Sequence, residues 1–160
     1  MLDEATNLKK VDGTGVFLFK DLGKAPPALL NNLRHNKVLH KTTLLVSVET
    51  ADKPRVPDDA RTQVTKVEPG VFQVVITYGF MDEPDVPAAL GTLDIRGLTF
   101  DPADVTYFIG RESVVAGKAP GMNRVFEHLF VWLNRGADSA VRFFNLPDEQ
   151  VFEVGSRVEI

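Results

Sequence analysis

Two apolar segments with an amphipathic segment between them constrain the fold of this chain more than any other feature. The apolar segments are Gly15–Phe19 and Thr43–Val48, and Pro26–His40 lies between them. Pro26 and Pro27 suit the start of a helix, where a missing N–H costs no hydrogen bond. Thr43–Val48 is too apolar for a half-exposed strand and is typical of the interior of a parallel sheet. The chain is therefore predicted to open with a βαβ unit.

The leucine spacing in the first helix predicts which side of it packs on the sheet. Leu29, Leu30 and Leu33 fall on one helical face, because residues three and four apart lie on the same side of a helix. The polar residues are expected to point elsewhere: Asn31, Asn32, Arg34 and His35.

The middle of the chain is predicted to form an antiparallel hairpin and a short helix. Pro69 and Gly70 are a strong turn signal between Arg61–Glu68 and Val71–Tyr78, and the second of these segments alternates apolar residues on one face. A short helix is predicted from about Val86, with the preceding aspartate as its N-cap.

The last third is predicted to be more helical. An apolar stripe from Met122 to Leu133 indicates a helix of about four turns, and a second short helix is predicted from Asp138 to about Phe144. Val151–Val154 returns to extended chain. The predicted fold class is α/β or α+β: one layered domain with a mixed sheet, an opening βαβ unit, a central antiparallel hairpin and a long helix in the C-terminal half.

Composition narrows the class of function. The chain has 160 residues, no cysteine and a net charge of -4. These values exclude disulfides and thiolate metal sites, and they argue against a polymeric nucleic-acid partner, which favours a basic surface. No apolar run approaches the roughly 20 residues that span a bilayer. The charges are scattered along the sequence, without a basic block of the kind that holds anionic lipid headgroups.

No catalytic residue, metal site or cofactor is predicted. Asp82, Glu83 and Asp85 follow a strand and could serve as a cation site or a general base, but a polar loop that caps the next helix is the preferred interpretation. His35 and His40 are five residues apart, which is wrong for a zinc pair on one helix face. Each histidine is expected to be solvent-facing or hydrogen-bonded.

An anion site is the candidate ligand site. Arg111, Glu112 and Ser113 follow a predicted strand, and the planar guanidinium of Arg111 suits a phosphate. Lys118 lies in a glycine-containing connector that leads into the long helix. The preferred interpretation is an ion pair of Arg111 with Glu112 or with the acidic loop, beside an ordinary glycine-rich connector.

Phe143 and Phe144 are candidate interface residues. Two adjacent positions on a short helix are not expected to face the same core stripe, so one ring could pack on a neighbouring domain or a second copy of the chain. A core role for both rings, on two sides of a buried helix, is the preferred interpretation.

Several segments, in fixed order, resemble the cytoplasmic C-terminal region of Kup-type potassium uptake transporters, the KUP/HAK/KT family. The resemblance runs from about Asp12 to Ile160 and leaves out the membrane region. The segments that carry it are Pro26–His40, Gly13–Leu18 (GTGVFL), Tyr78–Pro87 (YGFMDEPDVP), Tyr107–Glu112 (YFIGRE), Pro120–Met122, Phe143–Phe144 and Val151–Ile160.

The resemblance implies a single non-enzymatic cytosolic domain, 1–160, at the cytoplasmic face of the inner membrane. Residues 1–11 or so are expected to form a flexible junction with a membrane region, which would be the main partner and would carry the potassium:proton symport. Such a domain would serve assembly or regulation; a homodimer and a nucleotide ligand stay open. The alternative functions are a small hydrolase, using Asp82, Glu83 or Asp85 with Arg111, and a free-standing nucleotide-binding regulatory protein.

Overall fold

In the computed structural model, which describes residues 8–19, 25–95, 100–110 and 137–155, six strands form one sheet. The strands are β1 (Lys9–Leu18), β2 (Val38–Thr50), β3 (Thr62–Glu68), β4 (Val71–Tyr78), β5 (Val105–Gly110) and β6 (Val151–Val154). The helices of the described residues are α1 (Pro27–Asn31), α2 (Asp58–Arg61), α3 (Val86–Gly91) and α4 (Ala137–Phe143). A π-helical turn, Asn32–Asn36, follows α1, and a 3-10 turn, Asp148–Gln150, precedes β6.

The strand order is β3-β4-β2-β1-β5-β6, and every neighbouring pair is parallel except β3 with β4. The mixed α/β architecture, the opening β1-α1-β2 unit and the central hairpin are thus confirmed. The first connection leads from β1 to β2 on one side, whereas β5 lies on the other side of β1. The topological switch point of the sheet therefore lies between the paired strands β1 and β5. In open α/β sheets, ligands commonly bind at such a point, at the carboxyl ends of the strands.

β2 is the central parallel strand that its composition predicts. It has β1 and β4 as parallel neighbours, and Leu44 and Val46 are fully buried. The strand has 13 residues and begins at Val38, five residues before the predicted segment. β1 likewise begins at Lys9, so the strand includes residues that the sequence assigned to a flexible junction.

The two faces of the sheet are covered by different helices. On the first face, α3 and α4 pack on alternating strand residues, and a continuous cluster buries Val74, Ile76 and Tyr107. On the second face, Ala28 and Leu29 of α1 pack on aromatic rings of β1 and β5. β1 and β5 therefore bury apolar side chains on both faces, with Val16 and Tyr107 on the first face and Phe17 and Phe108 on the second.

The predicted packing face of the first helix is partly wrong. Leu29 is buried, but Leu30 is 40% exposed, and Asn32 is buried in its place. Leu33 packs against the second-face core as predicted, and the backbone changes from an α-helix to a wider π-helical turn at Asn32. The buried amide of Asn32 is satisfied, since Nδ2 donates to Val38 O at 3.0 Å and Oδ1 accepts from Asn36 Nδ2 at 2.8 Å.

The predicted long helix, Met122–Leu133, lies outside the described residues. The short helix that follows is present as α4, and it ends at Phe143. In the part of the chain that the structure describes, no helix has the length and apolarity needed to cross a membrane.

Candidate functional site

The acidic segment Asp82–Asp85 lies at the carboxyl end of β4, between that strand and α3. The loop after β2 lies against it. Phe80 N donates to Lys53 O at 2.9 Å and Met81 N donates to Pro54 O at 2.8 Å. These backbone hydrogen bonds join two loops that are more than twenty residues apart in sequence. We call this pair of loops the carboxyl-edge clamp.

Asp82 is the central residue of the carboxyl-edge clamp. One oxygen, Oδ2, accepts hydrogen bonds from Val56 N at 2.9 Å and from Gly79 N at 2.8 Å, and the side chain is 8% exposed. These two bonds lower the pKa of the Asp82 carboxyl, and the cations of Arg61 and Arg55 lower it further. A general base works best with a pKa near the working pH, so this carboxylate suits a structural role better than proton transfer.

Arg61 joins the clamp to β4. Its guanidinium lies 4.8 Å above the centre of the Tyr78 ring, and it donates to Asp58 Oδ1 at 2.6 Å and to Val56 O at 2.8 Å. Asp82 Oδ2 lies 3.6 Å from the same guanidinium. Arg61 was expected to be the first residue of the hairpin, but it ends α2, which places its side chain beneath the loop.

Asp85 is the N-cap of α3, as predicted. Oδ1 accepts from Ala88 N at 3.0 Å, and Oδ2 accepts from Asn145 Nδ2 at 2.9 Å. The backbone N–H of Asp85 donates to the hydroxyl of Tyr78 at 3.1 Å. Burial raises the pKa of the Tyr78 hydroxyl, so Tyr78 keeps its proton at neutral pH. Asp85 therefore fastens α3 to β4 and to the turn after α4.

The geometry favours the polar-loop interpretation of the three acidic residues over a catalytic one. Asp82 and Asp85 are occupied by backbone donors and capping contacts, and Glu83 is exposed. The described residues contain no group of three or more histidine, cysteine or carboxylate side chains that could hold a metal ion. The contacts of Asp82 and Asp85 therefore do not favour the hydrolase alternative, which would use one of the three carboxylates as an acid or base. Its proposed cation, Arg111, lies outside the described residues.

The predicted anion site falls beyond the end of β5. Arg111, Glu112, Ser113 and Lys118 lie outside the described residues, and their role stays a prediction. The structure does fix where the preceding strand ends: β5 runs to Gly110 and is paired with β1 on one side and β6 on the other. The segment that starts with Arg111 thus follows a strand at the topological switch point.

Both candidate interface rings have a packing role within the domain. Phe144 is 7% exposed and belongs to the first-face core, and Phe143 is half-buried against the same core. The two rings meet edge to face, with centroids 5.1 Å apart. The helix ends at Phe143 and Asn145 adopts a left-handed φ of 54°, so the two rings are not constrained by helical geometry as the sequence argument assumed. A role in an interface between copies stays a prediction.

The expectation that each histidine is solvent-facing or hydrogen-bonded is wrong for Nδ1 of His40. Its ring lies against Gly15, where an added Cβ would be 2.7 Å from Nδ1, and it meets the Phe108 ring edge to face at 5.8 Å. Nδ1 is buried and has no hydrogen-bond partner. Burial lowers the pKa of His40, while the charge of Asp104 raises it by less. The available sequence signal was Gly15 on β1, which leaves room for the ring although the register pairs Gly15 with Thr43 and His40 with Val11.

Comparisons with known proteins give one consistent family. Residues 12–160 match the family described as the K+ potassium transporter C-terminal domain. The chain is 46% identical over 151 residues to the "Probable potassium transport system protein Kup" of Pseudomonas putida, and 45% identical over 151 residues to the protein of the same name from Azoarcus sp.. A Pseudomonas aeruginosa protein of that name is 46% identical.

These alignments cover 94% of the chain but 24% of each relative. The chain therefore spans about a quarter of the length of the curated relatives that it matches. No solved structure matches this chain.

Proposed function

This chain belongs to the family of K+ potassium transporter C-terminal domains, and from that premise we propose that it is the cytosolic assembly and regulatory domain of a potassium:proton symporter. The family match is the observation that carries the proposal, because it spans the sheet from Asp12 onwards rather than one motif. The transport chemistry would reside in the part of such a protein that this chain does not cover. The domain would face the cytoplasm at the inner membrane.

The carboxyl-edge clamp supports an assembly role. Asp82, Asp85 and Arg61 connect two loops, three helices and β4. Each of these charged side chains forms hydrogen bonds or ion pairs within the domain. A surface fixed in this way can present the same shape to a neighbouring protein part without paying an ordering cost on binding. The hydrogen bonds and ion pairs of the carboxyl-edge clamp thus support the assembly role.

A domain exchange tests this function. The C-terminal quarter of the Pseudomonas putida Kup protein would be replaced by this chain, which is 46% identical to it. Rubidium uptake and the amount of transporter in the membrane would be measured in a bacterium that lacks its own potassium uptake systems. We expect the exchange to preserve uptake and the deletion of the quarter to reduce either the amount of transporter or the uptake per transporter.

Two matched variants sharpen that test. Gly79→Ala disrupts the carboxyl-edge clamp, whereas Gly91→Ala adds the same methyl group where nothing lies within 4 Å. The first variant is expected to behave like the deletion and the second like the unmodified exchange. If the deletion leaves membrane amount, uptake and its response to external potassium unchanged, the domain has no assembly or regulatory function.

We also propose an anionic, nucleotide-like ligand at the switch point, bound by Arg111 with Glu112, Ser113 or Lys118 nearby. The specific observation in favour is the strand order, since β5 ends at Gly110 beside the carboxyl end of β1 and Arg111 is the next residue in the sequence. An Arg guanidinium matches the oxygens of a phosphate with two parallel hydrogen bonds. This ligand would give the domain a signal to which transport could respond.

Isothermal calorimetry of the chain against ATP, AMP and cyclic dinucleotides tests the ligand proposal. Saturable micromolar binding that is lost in Arg111→Ala and kept in Arg142→Ala would support it; Arg142 is an exposed cation of α4, so both variants lose one charge. No heat from a folded sample, or equal loss in both variants, would reject the site.

A homodimer is a further proposal, which sedimentation equilibrium of the chain and of Phe143→Ala would test. A monomer at all concentrations, or a dimer that Phe143→Ala leaves equally strong, would contradict a role for this ring in dimer formation.

A further inference from the structure

Four cations from two segments of the chain lie at the amino edge of the sheet. Lys9 and Lys10 begin β1, and Arg34 and Lys37 belong to or directly follow the π-helical turn before β2. Lys9 N donates to Lys37 O at 3.2 Å, so the two segments are in backbone contact. The register continues this contact, with Lys9 opposite Val38 in the parallel pair. We call these four residues the amino-edge patch.

The cations of the amino-edge patch are exposed, and none of them forms an ion pair within the residues that the structure describes. Lys41 is near them in sequence, but Asp12 neutralises it. Asp104 lies on the opposite side of β1, against Gly13 and before β5. The patch is therefore a local excess of positive charge in a chain whose net charge is -4.

We propose that the amino-edge patch docks on the anionic phospholipid surface of the membrane. The proposal rests on the function proposed above, because a transporter domain must lie beside a bilayer. In a protein of this family the C-terminal domain is preceded by the rest of the polypeptide, which would reach the fold at the start of β1, next to Lys9 and Lys10. The incoming chain and the patch thus lie at the same edge of the sheet.

The charge distribution determines how the domain would be oriented. Four cations at one edge attract a negative surface, and the net negative charge of the whole chain is repelled from it. The attraction extends over a Debye length of about 8 Å at physiological salt, so it acts when the amino edge faces the bilayer. Each basic residue at an anionic surface strengthens binding by about fivefold. A chain without a basic block in its sequence can therefore have a lipid-binding edge once it is folded.

Vesicle co-sedimentation of the full 160-residue chain tests the proposal directly. The probes are vesicles of phosphatidylcholine alone and vesicles in which phosphatidylglycerol replaces about a third of it, at low and at high sodium chloride. The test variant is Lys9→Gln/Lys10→Gln/Arg34→Gln. Lys37 is left unchanged, because its φ of 56° makes a substitution there a test of the turn as well.

The control variant removes the same number of charges elsewhere: Lys53→Gln/Arg55→Gln/Arg142→Gln. All three residues are exposed, and Lys53 and Arg55 follow β2 at the opposite edge of the sheet. A conservative variant, Lys9→Arg/Lys10→Arg/Arg34→Lys, keeps the charges and is expected to keep binding. It distinguishes loss of charge from loss of structure if the glutamine variant is poorly folded.

We expect salt-sensitive binding to the anionic vesicles only, a loss of about 100-fold in the patch variant, from three residues at about fivefold each, and little change in the control. Absence of binding at low salt, or equal loss in both glutamine variants, would overturn the proposal. Inorganic phosphate at matched ionic strength should displace no more protein than sodium chloride does; stronger displacement would indicate a soluble phosphate ligand instead of a membrane. The vesicle assay contains no transport step, so its result is independent of the domain-exchange experiment. Failure of the docking proposal can therefore be distinguished from failure of the proposed function.

Discussion

Gly79 is the position where a single added methyl group should do most damage to the carboxyl-edge clamp. A Cβ at Gly79 would lie 2.5 Å from the backbone N and Cα of Arg55, and closer still to the carbonyl oxygen of Pro54. These atoms belong to the main chain of the facing loop and cannot rotate away as a side chain can. Gly79→Ala must therefore push the loops apart.

The cost follows from the contacts that would separate. The hydrogen bonds Phe80 N to Lys53 O and Met81 N to Pro54 O are each worth about 0.5–1.5 kcal/mol net. Overpacking adds roughly 1–3 kcal/mol. We expect a loss of about 2–6 kcal/mol in the free energy of unfolding, and a domain of this size loses about 2–4 °C in melting temperature for each kcal/mol. The matched variant Gly91→Ala places its methyl in open space on a helix and should stabilise by up to about 1 kcal/mol.

Urea unfolding followed by circular dichroism, with thermal melts of the same samples, measures both changes. The expected order of stability is Gly91→Ala, wild type, Gly79→Ala, with similar slopes against urea for all three. A free energy of unfolding for Gly79→Ala within about 1 kcal/mol of the wild-type value would refute the reasoning. The loops would then accommodate the methyl group at a lower cost than ordinary overpacking.

Three further predictions concern single polar residues. Asp82→Ala should lower the melting temperature far more than Glu83→Ala does, since Asp82 accepts two backbone hydrogen bonds whereas Glu83 is exposed; equal effects in thermal melts would contradict the clamp. Because the pKa of His40 is lowered in the folded protein, the unfolded chain binds a proton more readily than the folded one. The contribution of neutral His40 to the free energy of unfolding is therefore complete above the unfolded pKa of about 6.5. It is lost as the pH falls from there towards the folded pKa. Urea unfolding at pH 7.5 and 5.5 should show a smaller pH dependence in His40→Gln than in wild type; an unchanged or larger dependence would disprove this. Asn32→Ala should cost about 1–3 kcal/mol because the Val38 carbonyl loses its donor, whereas Leu30→Gln should change the free energy of unfolding by less than about 0.5 kcal/mol; the reverse order would restore the sequence-based packing face.

Local patterns were sufficient for the framework of the fold. The apolar content of Thr43–Val48 reports burial on both faces, and β2 does have parallel neighbours on both sides. Pro69 and Gly70 form the hairpin turn, and Gly70 has the positive φ of 82° that glycine accepts readily. The Asp85 cap was also predictable. The turn and the cap are determined within a few residues of their signals, and the burial of β2 is recorded in the apolar residues of the strand itself.

The failures arise where distant segments determine the environment of a residue. Asn32 is buried because the β2 backbone offers it a carbonyl acceptor and the π-helical turn carries it inward. The His40 ring is half-buried, with Nδ1 fully buried, because Gly15 leaves space on the neighbouring strand. Asp82 accepts a hydrogen bond from the backbone N–H of Val56, which is 26 residues away in sequence. No periodicity or spacing in one segment contains such information, since each depends on the register between strands.

The amino-edge patch and the end of β5 lie at opposite edges of one sheet, and this arrangement would let the two proposed binding functions act independently. The amino-edge patch lies where β1 begins, and the segment starting at Arg111 follows the end of the adjacent parallel strand β5. A strand of ten residues such as β1 spans about 33 Å, several Debye lengths, so charges at one edge are screened from the other. If the amino edge rests on the bilayer, the switch point faces away from it and stays open to a ligand from the cytosol. Arg111→Ala should then abolish nucleotide binding without changing vesicle binding, and the patch variant should do the reverse; a variant that weakens both would mean that the two edges are coupled.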